Sequence, residues 1–133
     1  MKNRRSFITG LKSTILQKKE KHFLNKYKPW GIILFSRNIK SIDQVKKLTD
    51  SIKSVFKDKN YPILVDQEGG RINRLNNLID TSVFTAEFFG NLYRHDFKKF
   101  NIYYQIFIKQ TCYLLNRMGI IINTVPVLDV RRK

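Results

Sequence analysis

The sequence predicts an α/β fold in which parallel strands alternate with helices. Short apolar segments recur along the chain, and they lack the polar alternation of a strand that has one face in water. Amphipathic helical patterns lie between these segments, and the connections are short. This alternation is typical of parallel strands that are joined by right-handed crossovers.

The predicted elements are strand 6–10, helix 13–27, strand 31–35, helix 41–57, strand 63–65, a short helix 85–93, helix 97–118 and strand 120–125. Gly10 ends the first strand, and Ser13 is a suitable N-cap for the helix that follows. Pro29 ends that helix, because proline disfavours helical backbone at the residue before it.

The second predicted strand is an unbroken apolar run, and Ser36, Arg37 and Asn38 follow its carboxyl end. Ser41 and Gln44 have the spacing of a capping box, which predicts the start of the second helix. The apolar positions of that helix recur at helical spacing: Ile42, Val45, Leu48, Ile52, Val55 and Phe56.

The last long helix ends at Gly119, and the fourth strand continues into the polar segment 126–130. The single cysteine, Cys112, lies in this helix and is predicted to be a buried, inert thiol. We expect the buried side of the helix to carry Ile102, Ile106, Tyr113, Leu114 and Met118.

The composition suits one globular domain in a reducing compartment. The chain has 133 residues, 42% of them hydrophobic, and a single cysteine excludes an intrachain disulfide. No secretory signal is visible, and the longest apolar runs are strand-sized, so we expect a cytoplasmic protein without a membrane segment.

The net charge of +16 would favour polyanions such as nucleic acid. The lysines, however, are scattered through every segment, and the aromatic–basic strand motif of common RNA-binding modules is absent. We therefore expect any binding of nucleic acid to be nonspecific.

The third strand leads directly into the sequence Asp-Gln-Glu-Gly-Gly-Arg at 66–71. Carboxylates at a strand end followed by two glycines are a common way to build a binding site, because glycine permits positive φ and close approach of backbone. The same residues are also compatible with a simple turn in which Asp66 acts as a cap. The stretch alone does not decide between these interpretations.

Two arrangements fit the element order: an open doubly wound sheet and part of a (β/α)8 barrel. No dinucleotide-binding Gly-x-Gly-x-x-Gly turn and no phosphate-binding loop ending in Gly-Lys-Ser/Thr is present. Polar residues instead follow the strands, as they do around barrel active sites, at Arg37, Asn38, Asp66, Glu68 and Asp129.

Three blocks, at 29–38, 65–75 and 126–130, carry a family resemblance. In residue identity, order and spacing they resemble the N-terminal part of bacterial β-N-acetylhexosaminidases of glycoside hydrolase family 3. The resemblance implies that residues 1–133 are a partial N-terminal domain of that family, with about four βα units of an incomplete (β/α)8 barrel. It also implies removal of terminal N-acetylglucosamine from peptidoglycan fragments during cytoplasmic cell-wall recycling.

The resemblance assigns substrate binding to two residues of the central block. Asp66 matches the family aspartate that binds sugar hydroxyls, and Arg74 matches an arginine that also contacts substrate. We expect Glu68 and Arg71 to brace the loop as an ion pair. Asp129 lies at a strand end near the site but receives no catalytic role. No cofactor and no metal is expected.

The family's catalytic groups have no counterpart in this sequence. The nucleophile and the acid/base histidine of the family lie downstream of the matching blocks, so no catalytic residue is assigned here and the isolated fragment is expected to be inactive. His22 and His95 lack the family's histidine motif. His22 is interpreted as a coincidental match on a helix face, and His95 is predicted to be a surface residue. The Asp66–Glu68 pair is disfavoured as a catalytic pair, because one of its members is assigned to binding.

A half barrel would leave two sheet edges and one face of each helix uncovered, since a full barrel takes about 250 residues. We therefore expect poor solubility unless the chain dimerises or meets a complementary C-terminal half. The alternative function is that of a non-enzymatic remnant that binds sugar or polyanions.

Overall fold

The computed structural model describes residues 3–126. Its elements are β1 (Arg5–Gly10), α1 (Lys18–Tyr27), β2 (Pro29–Leu34), α2 (Ile42–Phe56), β3 (Ile63–Val65), α3 (Ala86–His95), α4 (Phe97–Arg117) and β4 (Ile122–Asn123). A single 3₁₀ turn, Ser36–Asn38, follows β2. The order of strands and helices is the one that the sequence predicts, although β4 is shorter than the predicted strand.

The four strands form one parallel sheet in the order β1-β2-β3-β4. Val65, the last residue of β3, lies opposite both Leu34 of β2 and Asn123 of β4, so these strands end at the same edge of the sheet. A doubly wound sheet would reverse its strand order at a switch point, whereas a barrel adds its strands in sequence. The observed order is that of a partial (β/α)8 barrel.

The hydrophobic core lies between the sheet and α2. The strands contribute buried aliphatic side chains, and α2 contributes the residues at its predicted apolar spacing, which confirms that helix. The buried members of this group are Ile32, Leu34, Ile63, Val65, Val45, Leu48 and Ile52. Full burial of one such side chain contributes about 1.5–3 kcal/mol, so this layer fixes the strand ends from which the polar residues project.

Helix α1 begins at Lys18, five residues after the predicted N-cap at Ser13. The capping residue is Gln17, whose backbone N–H donates to the carboxylate of Glu20 at 2.9 Å. A second oxygen of Glu20 accepts from the backbone N–H of Lys12 at 2.8 Å. The prediction was wrong because Glu20, three residues after Gln17, satisfies backbone donors that Ser13 does not reach.

Ser41 is the N-cap of α2, as predicted, and its hydroxyl oxygen accepts from the backbone N–H of Gln44. The second bond of a capping box, from the Ser41 backbone N–H to the Gln44 side chain, is not formed. Gln44 Oε1 instead accepts from the backbone N–H of Lys40 at 2.9 Å, and its Nε2 donates to the carbonyl of Thr14 at 2.7 Å. This residue therefore ties the start of α2 to the loop after β1.

Helix α4 is buried only near its C-terminal end, where Leu114 and Met118 confirm the prediction. The predicted face was wrong toward the N-terminal end. There α4 packs chiefly on α3, and Phe89 contacts the rings of Tyr104 and Phe107. The residues wrongly predicted as buried are Ile102, Ile106 and Tyr113, which are 48%, 59% and 56% exposed, and Cys112, which is also exposed.

Strands β1 and β4 are the two edges of the described sheet, as expected of a partial barrel. Large apolar side chains remain in contact with solvent on α4, including Phe97 and Ile106. Within residues 3–126, no helix combines the length and apolar character needed to cross a membrane.

Candidate functional site

The carboxylate of Asp66 lies at the carboxyl end of β3, where it joins two other side chains. Its Oδ1 accepts a short hydrogen bond from the hydroxyl of Thr124, and its Oδ2 lies 3.4 Å from Nη2 of Arg74. The side chains of Asp66 and Arg74 are 30% and 24% exposed, so solvent still reaches both groups. A carboxylate, a guanidinium and a hydroxyl therefore meet at the mouth of the sheet.

Gln67 holds the loop that carries Arg74. Its side chain is buried, and its Oε1 accepts from the backbone N–H groups of Arg74 at 2.9 Å and Leu75 at 3.0 Å. Its Nε2 donates to the hydroxyl of Thr81 at 3.2 Å. Because side chains alternate along an extended segment, Gln67 points into the protein while Asp66 remains accessible.

Asn123 joins the end of β4 to the same loop. Its Oδ1 accepts from the backbone N–H of Gln67 at 2.9 Å, and its Nδ2 donates to the carbonyl of Gln67 at 3.2 Å. The next residue, Thr124, donates its backbone N–H to the carbonyl of Val65 at 3.0 Å. These bonds fix the Thr124 hydroxyl beside Asp66.

The two glycines of the loop form a turn that packs on the segment before α3. Gly69 has a φ of +88°, and a Cβ there would lie 2.4 Å from the carbonyl oxygen of Phe84. Gly70 has a φ of +60° and donates its backbone N–H to the carbonyl of Thr81 at 2.9 Å. The close approach that glycine allows is thus to the protein's own backbone, while Asp66 caps none of the helices that the structure describes.

A second polar cluster lies at the end of β2. Asn38 is buried and accepts from the backbone N–H of Phe35 at 2.9 Å, while its Nδ2 donates to the carbonyl of Leu11 at 3.1 Å. Arg37 donates from Nε to the same carbonyl at 2.9 Å. The guanidinium carbons of Arg37 and Arg74 lie 4.5 Å and 5.4 Å from the centre of the Phe35 ring, so this ring connects the ends of β2 and β3.

The other sequence-based assignments have mixed outcomes. Glu68 and Arg71 do not form the expected ion pair, although both lie in the part of the chain that the structure describes. The prediction that His95 is a surface residue is confirmed, since it is exposed at the end of α3, and His22 lies on a helix as predicted, exposed on α1. Asp129 lies outside the described residues.

Sequence reasoning missed Gln67, Asn123 and Thr124 as parts of the site. The alternation of side chains after β3 could have indicated that Gln67 faces the interior between two accessible acidic residues. Asn123 and Thr124 are polar residues within an otherwise apolar predicted strand, which is a signal of the same kind. Their partners, however, depend on the strand order, which the local sequence does not contain.

An apolar groove of about 700 Å³ is lined in part by residues 67–72 of the same loop, but Asp66 is not among its lining residues. Aromatic side chains of α3 and α4 dominate its wall, including Phe89, Tyr104 and Phe107. Within residues 3–126, no cluster of three or more histidine, cysteine or acidic side chains is arranged to hold a metal ion. The arrangement at Asp66 is suited to a neutral ligand with several hydroxyl groups, because a carboxylate accepts and a guanidinium donates charge-assisted hydrogen bonds.

No protein-family model matches the chain. The β-hexosaminidase A of Pseudoalteromonas piscicida is 30% identical over 88% of this chain and 20% of its own length. The β-hexosaminidase of Alkalilimnicola ehrlichii is 43% identical over 50% of this chain and 19% of its own. The crystal structure of native NagZ from Neisseria gonorrhoeae matches with a TM-score of 0.74 and 27% identity over 96% of this chain and 37% of that chain. The chain thus spans about a fifth of the length of the curated relatives that it matches.

Proposed function

We propose that this chain, as a member of the β-hexosaminidases of glycoside hydrolase family 3, binds a terminal N-acetylglucosamine unit. The binding site in this proposal lies at the carboxyl ends of β3 and β4. The observation that carries this proposal is the meeting of Asp66, Arg74 and Thr124 at that edge of the sheet. Asp66 and Thr124 follow the ends of β3 and β4, and Arg74 lies in the loop after β3, so the fold positions all three groups before any ligand arrives.

The geometry suits neighbouring sugar hydroxyls. The Thr124 hydroxyl donates to one oxygen of Asp66, while the other oxygen is 3.4 Å from Arg74, longer than a strong charge-assisted bond. A sugar hydroxyl that donates to this oxygen and accepts from Arg74 would give the carboxylate and the guanidinium one further hydrogen bond each. Hydrogen bonds to a charged group contribute about 1.5–3 kcal/mol each, so loss of Asp66 should weaken binding severely.

The proposal assigns binding, and not bond cleavage, to the described residues. Glycoside hydrolysis by two protein groups needs a proton donor and a nucleophile or base on either side of one bond. Asp66 is engaged with Arg74 and Thr124, and neither His22 nor His95 is among its hydrogen-bond partners. In the whole enzyme, the hydrolysis of β-N-acetylhexosaminides would require groups that these residues do not supply.

The biological substrate in this proposal is a peptidoglycan fragment that is degraded in the cytoplasm during cell-wall recycling. The names of the relatives support hexosaminide chemistry, and N-acetylglucosamine is a repeating hexosamine of the bacterial wall. A polypeptide that completes the barrel, covering the edges at β1 and β4, is the expected protein partner. A disaccharide of N-acetylglucosamine and N-acetylmuramic acid should bind at least as well as the free monosaccharide.

Isothermal titration with N-acetylglucosamine tests the binding proposal. We expect saturable binding by the wild-type chain and a roughly 10- to 100-fold loss of affinity in Asp66→Ala, the equivalent of one charge-assisted bond. Asp43→Ala is the matched control, because it removes the same charge from an exposed position at the start of α2. Equal affinity of all three proteins would overturn the assignment.

Two further measurements separate this function from binding driven by charge. The sugar is neutral, so its affinity should change little with added salt, whereas affinity for a polyanion would fall steeply. An assay with a chromogenic N-acetylglucosaminide should give no turnover with this polypeptide alone. Robust turnover would contradict the assignment of binding without cleavage.

A further inference from the structure

Arg74 is held by few direct contacts in the structure. Its backbone N–H is bound by Gln67, but its guanidinium has one long ion pair, at 3.4 Å to Asp66. Its Nε is buried and has no hydrogen-bond partner among the described residues. One long hydrogen-bonded ion pair holds a long side chain only weakly, so a further contact is needed to keep it beside Asp66.

The ring of Phe35 is the group that meets this need. The guanidinium carbon of Arg74 lies 5.4 Å from the ring centre, within the range of a cation–π interaction. The ring follows β2, the strand next to β3 in the sheet, so it reaches Arg74 from the neighbouring strand end. A ring face attracts a cation without using a hydrogen-bond acceptor, which suits a buried Nε–H that has none.

The Phe35 ring is itself fixed from the other direction. The backbone N–H of Phe35 donates to Asn38. The guanidinium carbon of Arg37 lies 4.5 Å from the ring centre, and its Nε donates to the carbonyl of Leu11. Gly10 leaves room for this packing, because a Cβ there would lie 3.1 Å from Cε2 of Phe35 and 3.2 Å from Nη2 of Arg37. The ring is thus anchored to the end of β1 as well as to the end of β2.

We propose that Phe35 is a positioning residue for the sugar site: its ring holds the Arg74 guanidinium beside Asp66. The effect of Phe35 on sugar binding rests on the proposed function, whereas the contact of its ring with Arg74 does not. Phe35 touches no substrate group in this account, and it acts through the orientation of Arg74 alone. The attraction of an arginine to a ring is sensitive to the loss of the aromatic face, and is retained by tyrosine.

The order parameter of the Arg74 Nε–H bond, measured by ¹⁵N relaxation, tests the inference in the absence of ligand. We expect Arg74 to be more ordered than the exposed Arg94 of α3 in the wild-type chain. Phe35→Leu should lower the Arg74 value toward that of Arg94, and Phe35→Tyr should retain it. The control Phe88→Leu, in the aromatic cluster of α3, should leave it unchanged.

Sugar affinity provides the second arm. Phe35→Leu should weaken binding of N-acetylglucosamine by roughly 2- to 30-fold, the range of a cation–π interaction, while Phe35→Tyr and Phe88→Leu bind as the wild type does. If the wild-type chain does not bind the sugar, the proposed function fails, and the order parameters still decide the inference.

Either of two results overturns the inference. One is a wild-type Arg74 order parameter as low as that of Arg94, which needs no variant to fold. The other is a folded Phe35→Leu in which Arg74 stays as ordered as in the wild type. A role of Phe35 in general packing alone would lower the thermal midpoint of unfolding without changing the order of Arg74.

Discussion

The side-chain oxygen of Gln67 accepts a hydrogen bond from the backbone N–H of Arg74, with 2.9 Å between oxygen and nitrogen. The proposed substrate-binding arginine is therefore fixed at its backbone by a buried residue of the same motif. Gln67 is in turn joined to Asn123 of β4 by two hydrogen bonds. The loop after β3 and the end of β4 consequently form one unit.

Replacing Gln67 with leucine should destabilise the chain by about 2–4 kcal/mol, because it removes the acceptor of the part-buried N–H of Arg74 and the partner of the buried Thr81 hydroxyl. Urea unfolding measures the loss. Gln105→Leu is the control, since Gln105 is exposed on α4 and its side chain bonds to the exposed Asn101 of the same helix, and it should change stability by less than about 0.5 kcal/mol. Equal effects of the two substitutions would contradict the role of Gln67.

Replacing Gly69 with alanine should destabilise the chain by about 2 kcal/mol or more. The new Cβ would adopt a strained φ of +88° and lie 2.4 Å from the carbonyl oxygen of Phe84. Gly90→Ala is the matched control, because Gly90 lies within α3 and a Cβ there meets nothing within 4 Å.

The control substitution, Gly90→Ala, should stabilise the chain by about 0.5–1 kcal/mol, since alanine is a better helix former than glycine. The changes in the free energy of unfolding should therefore have opposite signs for two chemically identical substitutions. Thermal or urea unfolding of both variants measures them. A Gly69→Ala variant as stable as the wild type would contradict the described turn.

The N-cap of α4 should make stability depend on pH in the acidic range. The backbone N–H of Lys99 donates to Asp96 at 2.9 Å, and this bond, with the Lys99 side chain, lowers the pKa of Asp96 below its ordinary value of 3.8. Because the folded pKa is the lower one, the stabilisation is complete above pH 3.8 and is lost as the pH falls through the folded pKa.

Asp96→Asn separates this effect from capping, because asparagine also caps helices well but does not titrate. The free energy of unfolding of the wild type, relative to this variant, should be constant near neutral pH and should fall on acidification. Urea unfolding at a series of pH values measures the difference. The same pH dependence in both proteins would contradict the assignment to Asp96.

The parts of the fold that the sequence predicts are those in which burial has a local signature. Helix α2 was predictable because Val45, Leu48 and Ile52 recur at helical spacing and face the sheet. The apolar side of α4 was not, because Ile102 and Ile106 have a core-like pattern but remain exposed in the part of α4 that packs chiefly on α3 through other side chains. Periodicity identifies an apolar face but does not say which neighbour covers it.

The candidate site divides in the same way. Asp66 was predictable as an accessible carboxylate at a strand end, and the structure brings it to Arg74 as a pair 3.4 Å apart. The partners from other strands, Thr124 and Phe35, depend on which strands are neighbours in the sheet. A local motif therefore indicates the accessible polar groups, whereas their partners from other strands become visible only in the folded chain.

Mapping of amide chemical shifts during titration with N-acetylglucosamine tests the central claim most directly. The account predicts saturable shifts concentrated at the carboxyl ends of the strands, around Asp66, Arg74 and Thr124, and their loss in Asp66→Ala with the fold intact. The absence of saturable shifts, or shifts confined to the lysine-rich helix α1, would contradict it.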